Sequence, residues 1–332
     1  MDLNTFLAEW HNDSPTLLVH TSGSTGQPKP MFVEKRRMEA SARTTCDFLG
    51  LQAGDTALLC MSLDYIAGKM MVVRSLVRGL RLITVEPCGE PLRGLDSSLS
   101  TAGEELRIDF AAMVPLQVWN TLQHPEQRKR LMAVHHLIIG GGAIDDSLAL
   151  ELREFPNAVW STYGMTETLS HIALRRLNGH EASNWYTPFE GVSLSLSDTS
   201  CLIIDAPAIH DGRLVTNDIA ELLPDGRFRI LGRSDNIICS GGIKIQAEEV
   251  ERLLRTHLRK PFIITKRSDK KFGEIVVLLT EGSADEARQV CSRVLPHYWQ
   301  PRDYIHTDTI PLTATGKPAR RQAELLAHEP SR

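Results

Sequence analysis

The stretch HTSGSTGQPK, from His20 to Lys29, is a loop rich in glycine, serine and threonine that ends in a lysine. It lies between two short apolar segments, 16–19 and 31–33, which are predicted to be strands. Glycine lets backbone N–H groups approach a phosphate closely, hydroxyl groups add donors, and lysine adds positive charge. The composition is therefore compatible with a phosphate-binding loop or with an ordinary surface turn, since turns use the same residue types.

The overall composition is that of a globular protein. Its 332 residues are 42% hydrophobic and 23% charged, which allows a large core and two domains. A net charge of −4 provides no basic field, so nucleic acid is not an expected partner. No apolar run is long enough to span a membrane, and the acidic segment 1–13 does not resemble a signal peptide. The six scattered cysteines favour a reducing cytoplasm over a disulfide framework or zinc site.

Short apolar segments alternate with amphipathic stretches in the first half of the chain. The predicted strands are 57–61, 82–85, 110–114, 137–139 and 158–161. The predicted helices beside them are 35–49, 68–78, 115–122 and 145–154. This order is typical of a mainly parallel sheet covered by helices, in which ligands bind at the carboxyl ends of the strands.

The remaining sequence predicts two further units. Residues 188–231 contain short alternating segments separated by Gly, Asp and Pro, which indicate a small antiparallel sheet. The C-terminal region combines the amphipathic helix QAEEVERLLRTH with a predicted hairpin around 269–273. We therefore expect an α/β fold with a large domain at 1–233, built on a mainly parallel sheet plus the small antiparallel sheet, and a small α+β domain at 234–332.

Four further motifs follow the first loop. They are STYGMTET at 161–168, GRLVTNDIAEL at 212–222, GRSDNIICSGGIKIQAEEVE at 232–251 and PLTATGKPARRQ at 311–322. Each alone is compatible with a strand end, a hairpin, a linker or a basic tail. In this order they resemble the adenylate-forming superfamily of acyl-CoA ligases, luciferases and peptide-synthetase adenylation domains, over about residues 17–325.

The resemblance implies a two-step ligase with ATP and CoA as co-substrates. A carboxylate first attacks the α-phosphate of ATP to give an acyl-adenylate and pyrophosphate, and the acyl group then moves to a thiol. The first step requires that negative groups be neutralised and aligned, and Mg²⁺ is the implied cofactor. Because the C-terminal domain of such enzymes rotates between the two steps, the domain at 234–332 is implied to be mobile.

The residues that match the family motifs take their roles from the resemblance. Lys317 matches the catalytic lysine that contacts the attacking carboxylate and the α-phosphate, Thr166 another α-phosphate contact, and Glu167 the Mg²⁺ ligand. The β- and γ-phosphate loop corresponds to Thr21, Ser22, Gly23, Ser24, Thr25, Gly26 and Lys29. The adenine and ribose sites correspond to Gly140, Gly141, Gly142, Ala143, Thr162, Tyr163, Gly164, Asp218 and Arg233.

The second step uses other residues. In this resemblance Asp235 falls at the hinge, and Gly241, Gly242 and Lys244 belong to the face that forms a tunnel for the pantetheine arm of CoA. Most members of the superfamily carry a long segment before the phosphate loop, whereas only twenty residues precede it here. We therefore expect a shortened N-terminal domain and consider a homodimer plausible.

The acyl substrate is indicated by a narrower resemblance. The o-succinylbenzoate–CoA ligases of menaquinone biosynthesis are similar at SLDYIAGKMMVVRSLVRG, MVPLQVWNTL, YGMTETLSH and IKIQAEEVERLL. Their aryl keto acid has a second carboxylate that needs an anion contact. The resemblance places Arg74 and Ser170 there, with Lys69 as a further candidate and with Tyr65 in place of a common histidine.

Other assignments stay open at this point. Arg74 could instead lie on the solvated side of its helix, as most arginines do. Another aryl- or short-acyl-CoA ligase, or a stand-alone adenylation enzyme that loads a carrier protein, would carry the same ATP motifs. A non-catalytic adenylate-binding protein is disfavoured because Glu167, Asp218, Arg233 and Lys317 are all retained.

Overall fold

The computed structural model of the chain describes residues 1–20, 30–93, 95, 107–142, 144, 146–313 and 317–328. The first part contains helices and strands in alternation. They are α1 (Leu3–His11), β1 (Thr16–His20), β2 (Pro30–Glu34), α2 (Lys35–Leu49), β3 (Thr56–Leu59), α3 (Ile66–Arg78), β4 (Arg81–Thr84), β5 (Phe110–Met113), α4 (Pro115–Leu122), α5 (Pro125–Ala133), β6 (His136–Ile139), α6 (Asp146–Arg153), β7 (Ala158–Met165), β8 (Ser170–Arg176) and β9 (Thr187–Pro188).

A seven-stranded sheet organises this part, in the order β4-β3-β5-β6-β7-β8-β9. The neighbours from β4 to β7 are parallel, whereas β8 and β9 are added antiparallel. Strands β3 and β5 are buried at every position, as expected of a parallel sheet covered on both faces. The predicted α/β fold with a mainly parallel sheet is confirmed.

Successive strand residues pack into different cores because side chains alternate across a sheet. Ala57 and Leu59 belong to a core that includes residues of α2 and α3, whereas Leu58 belongs to a core that includes residues of α4 and α6. The sheet is thus held between two helical layers. The carboxyl ends of β6 and β7 are left at one edge, where the loops that carry the predicted site residues begin.

The predicted antiparallel sheet is present and has the order β10-β11-β12-β13. Its strands are β10 (Ser193–Leu196), β11 (Cys201–Asp205), β12 (Arg213–Leu222) and β13 (Phe228–Arg233). Ile204, Ala220 and Phe228 from three of these strands join the same core as α2 and α3. This packing fixes the position of Asp218 and Arg233, which are register partners on β12 and β13.

Residues 234–313 and 317–328 contain a separate five-stranded sheet with cores of their own. The elements are β14 (Ile237–Ser240), β15 (Ile243–Gln246), α7 (Ala247–Leu254), β16 (Phe262–Asp269), β17 (Gly273–Thr280), α8 (Ala284–Val294), β18 (Asp303–His306) and α9 (Arg320–His328). Ile264, Val276 and Leu278 face one core, while Ile263 and Val277 face the other. A sheet combined with helices in this segment is the α+β arrangement predicted from the sequence.

The structure contains elements that the sequence did not predict, among them α9, β8, β9 and β18. Helices α1 and α5 were not predicted, and the sequence of α5, PEQRKRLMA, has too few apolar residues to signal a helix. Strand β7 continues to Met165 and pairs with β8, whereas the predicted strand ends at residue 161. Within the described ranges, none of the helices has the length and apolar composition that a membrane crossing requires.

Candidate active site

The turn between β7 and β8 carries three of the predicted site residues. Thr166 is buried, Glu167 and Ser170 are half-buried, and all three lie within five positions. Thr168 fixes the turn, because its hydroxyl accepts a hydrogen bond from Met165 N at 2.9 Å and lies 2.7 Å from the carbonyl oxygen of Ser170. Neither a hydrogen bond nor an ion pair joins Glu167 to the described part of the chain. Its carboxylate is therefore available to a ligand.

Leu169, at the end of this turn, has a left-handed backbone with φ of +63°. A non-glycine residue in this conformation is uncommon, and such strain is concentrated at functional sites. Gly164 packs against the start of β8. A Cβ atom built on Gly164 would lie 2.0 Å from the carbonyl oxygen of Ser170. Only glycine therefore allows β7 and β8 to approach each other closely enough here.

The glycines after β6 lie against β7. A Cβ atom on Gly140 would come within 2.4 Å of the Thr162 hydroxyl oxygen, and Gly141 has φ of +80°. Gly140 therefore has a packing role, because a side chain there would collide with Thr162. Gly142 is exposed in the loop that follows β6. The adenine contact of Gly141 and Gly142 stays a prediction. The phosphate-loop residues and Ala143 lie outside the described residues: Thr21, Ser22, Gly23, Ser24, Thr25, Gly26 and Lys29 belong to that group.

A buried network joins the predicted ribose residues. The Tyr163 hydroxyl donates a hydrogen bond to Asp218 Oδ2 at 2.7 Å, and Arg233 Nη1 donates to Asp218 Oδ1 at 3.2 Å. Burial, together with the Asp218 carboxylate, raises the pKa of Tyr163. The Tyr163 ring packs against Tyr186 and Phe228, with ring centroids 5.9 and 5.1 Å apart. In the described part of the chain, each carboxylate oxygen of Asp218 has one hydrogen-bond partner and keeps a lone pair that could accept a ribose hydroxyl.

Arg233 also forms the contact to the predicted hinge. Its Nε and Nη2 atoms donate to the two carboxylate oxygens of Asp235 at 2.9 and 2.8 Å. The hydrogen bonds that Arg233 donates to Asp235 raise the pKa of Arg233 against the effect of burial. Partial burial alone would raise the pKa of Asp235, but the hydrogen bond and charge of Arg233 prevail and lower it. The pair is thus ionised, and it ties the end of β13 to the first residues of the C-terminal unit.

Lys317 lies close to this network although it is distant in the sequence. Burial lowers its pKa, the positive charge of Arg233 lowers it further, and Asp218 acts in the opposite direction. The ammonium group of Lys317 thus experiences the charges of both Asp218 and Arg233. Lys317 is therefore within electrostatic reach of the Asp218–Arg233 pair, and its catalytic role stays a prediction.

Arg74 and Ser170 come together as expected of a common subsite. Arg74 is 2% exposed, and its Nη2 atom donates to Ser170 Oγ at 2.6 Å. Its Nη1 atom lies 4.0 Å from Met71 Sδ, and Nε has no hydrogen-bond partner in the described part of the chain. Burial lowers the pKa of Arg74 to about 10. Among the described residues, no carboxylate pairs with this buried guanidinium.

Lys69 lies on another face of α3. Its Nζ atom is 5.4 Å from the centre of the Phe6 ring on α1, and the residue is 2% exposed. Burial lowers the pKa of Lys69, while Glu9 and Asp64 act in the opposite direction. The structure thus separates the buried Lys69 from the Arg74–Ser170 contact. Tyr65 is half-buried immediately before α3.

The predicted CoA face is a hairpin in the C-terminal unit. Gly241 and Gly242 form the two-residue turn between β14 and β15, with φ of +58° and +85°. Positive φ at both positions is what a tight hairpin turn requires, so the turn itself explains the two glycines. Lys244 is exposed next to this turn. A role of these three residues in CoA binding stays a prediction.

Comparison with known proteins identifies the family. The profile of the AMP-binding enzyme family matches residues 4–212. This chain belongs to that family. An acyl-CoA synthetase (AMP-forming)/AMP-acid ligase II-like protein from Dyadobacter fermentans is 31% identical, with a TM-score of 0.65 over 97% of this chain and 92% of that one. The AMP-forming acid–thiol ligase class predicted from the sequence is thereby confirmed.

Other relatives of this AMP-binding enzyme have named substrates. A 2-succinylbenzoate–CoA ligase from Bacillus cereus is 23% identical over 97% of this chain and 72% of its own length. One from Salmonella typhimurium is 26% identical over 83% and 60%. The structure of o-succinylbenzoate coenzyme A synthetase from Bacillus subtilis, in complex with ATP and magnesium ion, is 22% identical with a TM-score of 0.74 over 92% and 69%.

Two buried residues next to the Arg74–Ser170 contact were missed by sequence reasoning. His171 is fully buried, with Nδ1 at 3.1 Å from Ser170 Oγ and Nε2 at 3.1 Å from Thr45 Oγ1. His171 directly follows Ser170 in the motif YGMTETLSH, and Thr45 lies on the buried face of α2. A histidine beside a predicted ligand residue was the available signal, but the sequence could not reveal its partner on α2.

Proposed function

We propose that this enzyme converts 2-succinylbenzoate and CoA to 2-succinylbenzoyl-CoA, with cleavage of ATP to AMP and pyrophosphate through an acyl-adenylate. The observation that carries the choice of substrate is the buried Arg74 guanidinium, which has a hydroxyl partner but no carboxylate among the described residues. The names of the Bacillus and Salmonella relatives support the same acid.

The lack of a carboxylate partner for Arg74 is significant because burying a charge costs free energy. Removing an ion from water costs several kcal/mol, which an opposite charge with good hydrogen bonds can offset. Arg74 has five N–H groups and, in the described structure, one oxygen partner. A carboxylate on the substrate would supply both the missing charge and the missing acceptors. The aryl carboxylate of 2-succinylbenzoate is such a group, while its succinyl carboxylate remains free to react.

The β7–β8 turn supports a substrate with two acidic ends. Thr166, the predicted α-phosphate contact, and Ser170, the partner of Arg74, lie four positions apart on a turn fixed by Thr168. The reacting carboxylate is then near Thr166 and the second carboxylate near Arg74. A short monocarboxylate would leave the guanidinium without a counter-charge.

The residues present are compatible with a bound Mg²⁺ ion. The half-buried Glu167 carboxylate has no partner in the described structure, and there is no group of three or more described His, Cys, Asp or Glu side chains that could hold a metal. A magnesium ion held by one carboxylate and by phosphate oxygens meets this condition. When bound, the ion would supply charge neutralisation at the ATP phosphates.

The chain's own residues would act mainly by charge and position. We assign to Lys317 the contact with the attacking carboxylate and the α-phosphate, because an ammonium at that point lowers the repulsion between two anions. Asp218 and Arg233 would hold the ribose. A positive charge placed at about 4 Å from an oxyanion contributes roughly 4 kcal/mol at an effective dielectric near 20, before desolvation is subtracted.

We propose that the second step requires rotation of a mobile domain at 234–332 about Asp235. The separate cores of residues 238–328 support a division after Arg233, which ends the domain at 1–233. Rotation would withdraw Lys317 and bring the hairpin of Gly241, Gly242 and Lys244 to the site, as the family resemblance implies. A cytoplasmic location and a homodimer stay predictions.

The substrate assignment is tested by ATP–pyrophosphate exchange over a panel of acids. We expect the highest kcat/KM with 2-succinylbenzoate, because this acid alone fills both the reacting position and the Arg74 contact. The panel should include benzoate, a short fatty acid and 4-oxo-4-phenylbutanoate, which lacks the aryl carboxylate. Faster exchange with one of these monocarboxylates would contradict the proposal.

The thiol acceptor needs a separate measurement. With the adenylate formed, free CoA and a pantetheinylated carrier protein are offered in parallel, and the thioester products are separated. We expect transfer to free CoA. Transfer to the carrier alone would identify a stand-alone adenylation enzyme instead.

Glu167→Gln is expected to weaken the response of the exchange rate to magnesium, raising the Mg²⁺ concentration for half-maximal activity by about tenfold or more. The reason is the loss of the one free carboxylate on the β7–β8 turn. Because Glu167 has no partner in the described structure, the midpoint of thermal unfolding should stay close to that of the parent enzyme. A magnesium dependence identical to that of the parent would remove Glu167 as the ligand.

A further inference from the structure

We propose that Thr45 and His171 are positioning residues that orient Arg74 toward the second carboxylate of the substrate, through a one-directional chain of hydrogen bonds across Ser170. The inference rests on the proposed 2-succinylbenzoate function. It concerns two buried residues that lie on different elements, α2 and β8.

The direction of the chain follows from the donors. Arg74 can only donate, so Ser170 Oγ accepts at 2.6 Å and its hydroxyl hydrogen is free to point to His171 Nδ1, 3.1 Å away. Nδ1 must then be the unprotonated nitrogen. The hydrogen on Nε2 donates to Thr45 Oγ1 at 3.1 Å, and the Thr45 hydroxyl donates to the carbonyl oxygen of Ser41 at 3.1 Å. Every hydrogen in the series has one acceptor.

The surroundings of His171 stabilise this one arrangement. Burial, followed by the positive charge of Arg74, lowers the pKa of His171 well below its ordinary value, so the ring is neutral. An imidazolium would donate from both nitrogens, and the Ser170 hydrogen would lose its acceptor. The Phe189 ring, with its centroid 5.5 Å from that of His171, limits rotation of the imidazole.

The consequence is a fixed acceptor for Arg74. Since the Ser170 hydrogen is engaged by His171, the lone pairs of Ser170 Oγ remain for the guanidinium, and Nη2 is held in one orientation. The remaining N–H groups then keep constant directions toward a ligand. Pre-orientation of this kind lowers the free energy that binding must spend on ordering a long side chain.

Thr45→Val tests the chain, because valine keeps the shape of threonine and removes the hydroxyl. Thr44→Val is the matched control: Thr44 lies next to Thr45 on α2 and donates a similar hydrogen bond, to the carbonyl oxygen of Ala40 at 3.0 Å, but does not contact His171 in the described structure. Exchange kinetics are measured with 2-succinylbenzoate and with 4-oxo-4-phenylbutanoate. We expect Thr45→Val to raise KM for the first acid about 5- to 50-fold with little change in kcat, and to leave KM for the second unchanged.

Two further variants keep the test decisive. Thr45→Ser restores the hydroxyl and should return KM to within about twofold of the parent value. His171→Phe removes both ring nitrogens while keeping an aromatic side chain beside Phe189, and should discriminate between the two acids as Thr45→Val does. This variant gives the answer if Thr45→Val does not fold, as judged by thermal unfolding.

The outcomes separate the inference from the proposed function. Equal losses on both acids, or no loss on either, would overturn the positioning role, and a Thr44→Val effect as large as that of Thr45→Val would overturn it too. If the parent enzyme accepts 2-succinylbenzoate and Arg74→Ala discriminates while Thr45→Val and His171→Phe do not, the function stands and the chain fails. If the parent enzyme does not accept 2-succinylbenzoate, both fail.

Discussion

Lys317→Ala is expected to slow adenylate formation by about 10²- to 10³-fold while leaving thioester formation from supplied acyl-adenylate and CoA close to the parent rate. The reason is that Lys317 matches the family's catalytic lysine and is within electrostatic reach of Asp218 and Arg233. The second step would use the opposite face of the C-terminal domain. Pyrophosphate exchange measures the first half-reaction, and consumption of synthetic acyl-adenylate measures the second.

The protonation of Lys317 provides a second measurement of the same role. Burial and Arg233 lower the pKa of Lys317 from its ordinary value of 10.5. Because lysine loses its charge as pH rises, kcat/KM for adenylation should fall on the alkaline side at a lower pH than an exposed lysine would allow. Lys317→Arg should move this fall to higher pH, since a guanidinium stays protonated. Equal loss of both half-reactions in Lys317→Ala would contradict the assignment of the lysine to the first step.

The second large effect is expected at Arg74. Arg74→Ala should reduce kcat/KM for 2-succinylbenzoate by about 30- to several-thousand-fold, because the substrate carboxylate would be left in a partly dehydrated cleft without its partner. The loss with 4-oxo-4-phenylbutanoate, which lacks that carboxylate, should be small. Arg74→Met, which removes the charge but keeps a long side chain, should discriminate in the same way if the alanine variant unfolds.

Two basic residues of the same helix serve as controls for Arg74. Arg78 pairs with Asp47 near the surface, and its side chain is 26% exposed, so Arg78→Ala should affect neither acid strongly. Lys69→Ala should also spare the difference between the two acids, since Lys69 is directed to Phe6. An Arg74→Ala enzyme that is slowed alike on both acids would mean that the guanidinium supports the fold or ATP binding. Discrimination by Lys69→Ala alone would move the anion contact to that residue.

Local periodicity was sufficient for much of the fold. The predicted bounds of α2 and α4 agree with the structure, because their apolar residues recur at the helical spacing. The alternation of strands and helices likewise predicted the parallel part of the large sheet. Helix α5 was missed because its burial depends on two residues, Gln127 and Leu131, in an otherwise polar sequence. Pairing of β7 with β8 was missed because strand partners are chosen by long-range packing.

The sequence by itself determined the order of the ATP motifs and, through the family resemblance, predicted roles for Glu167, Lys317, Asp218 and Arg233. Tertiary structure decided which of the two side chains on α3, Lys69 or Arg74, could bind an anion. Lys69 and Arg74 are about 140° apart on an ideal helix. Their positions on α3 therefore direct the two side chains differently. These positions do not determine which elements cover each face of the helix.

Both residues are 2% exposed, yet one faces the Phe6 ring and the other the Ser170 hydroxyl. That difference depends on where α1 and the β7–β8 turn pack against α3. Thr45 and His171 likewise lie 126 positions apart in the sequence, yet their side chains are in contact and link Thr45 to Ser170. No local pattern encodes such a contact, because its geometry exists only once α2 and β8 are buried against the same core.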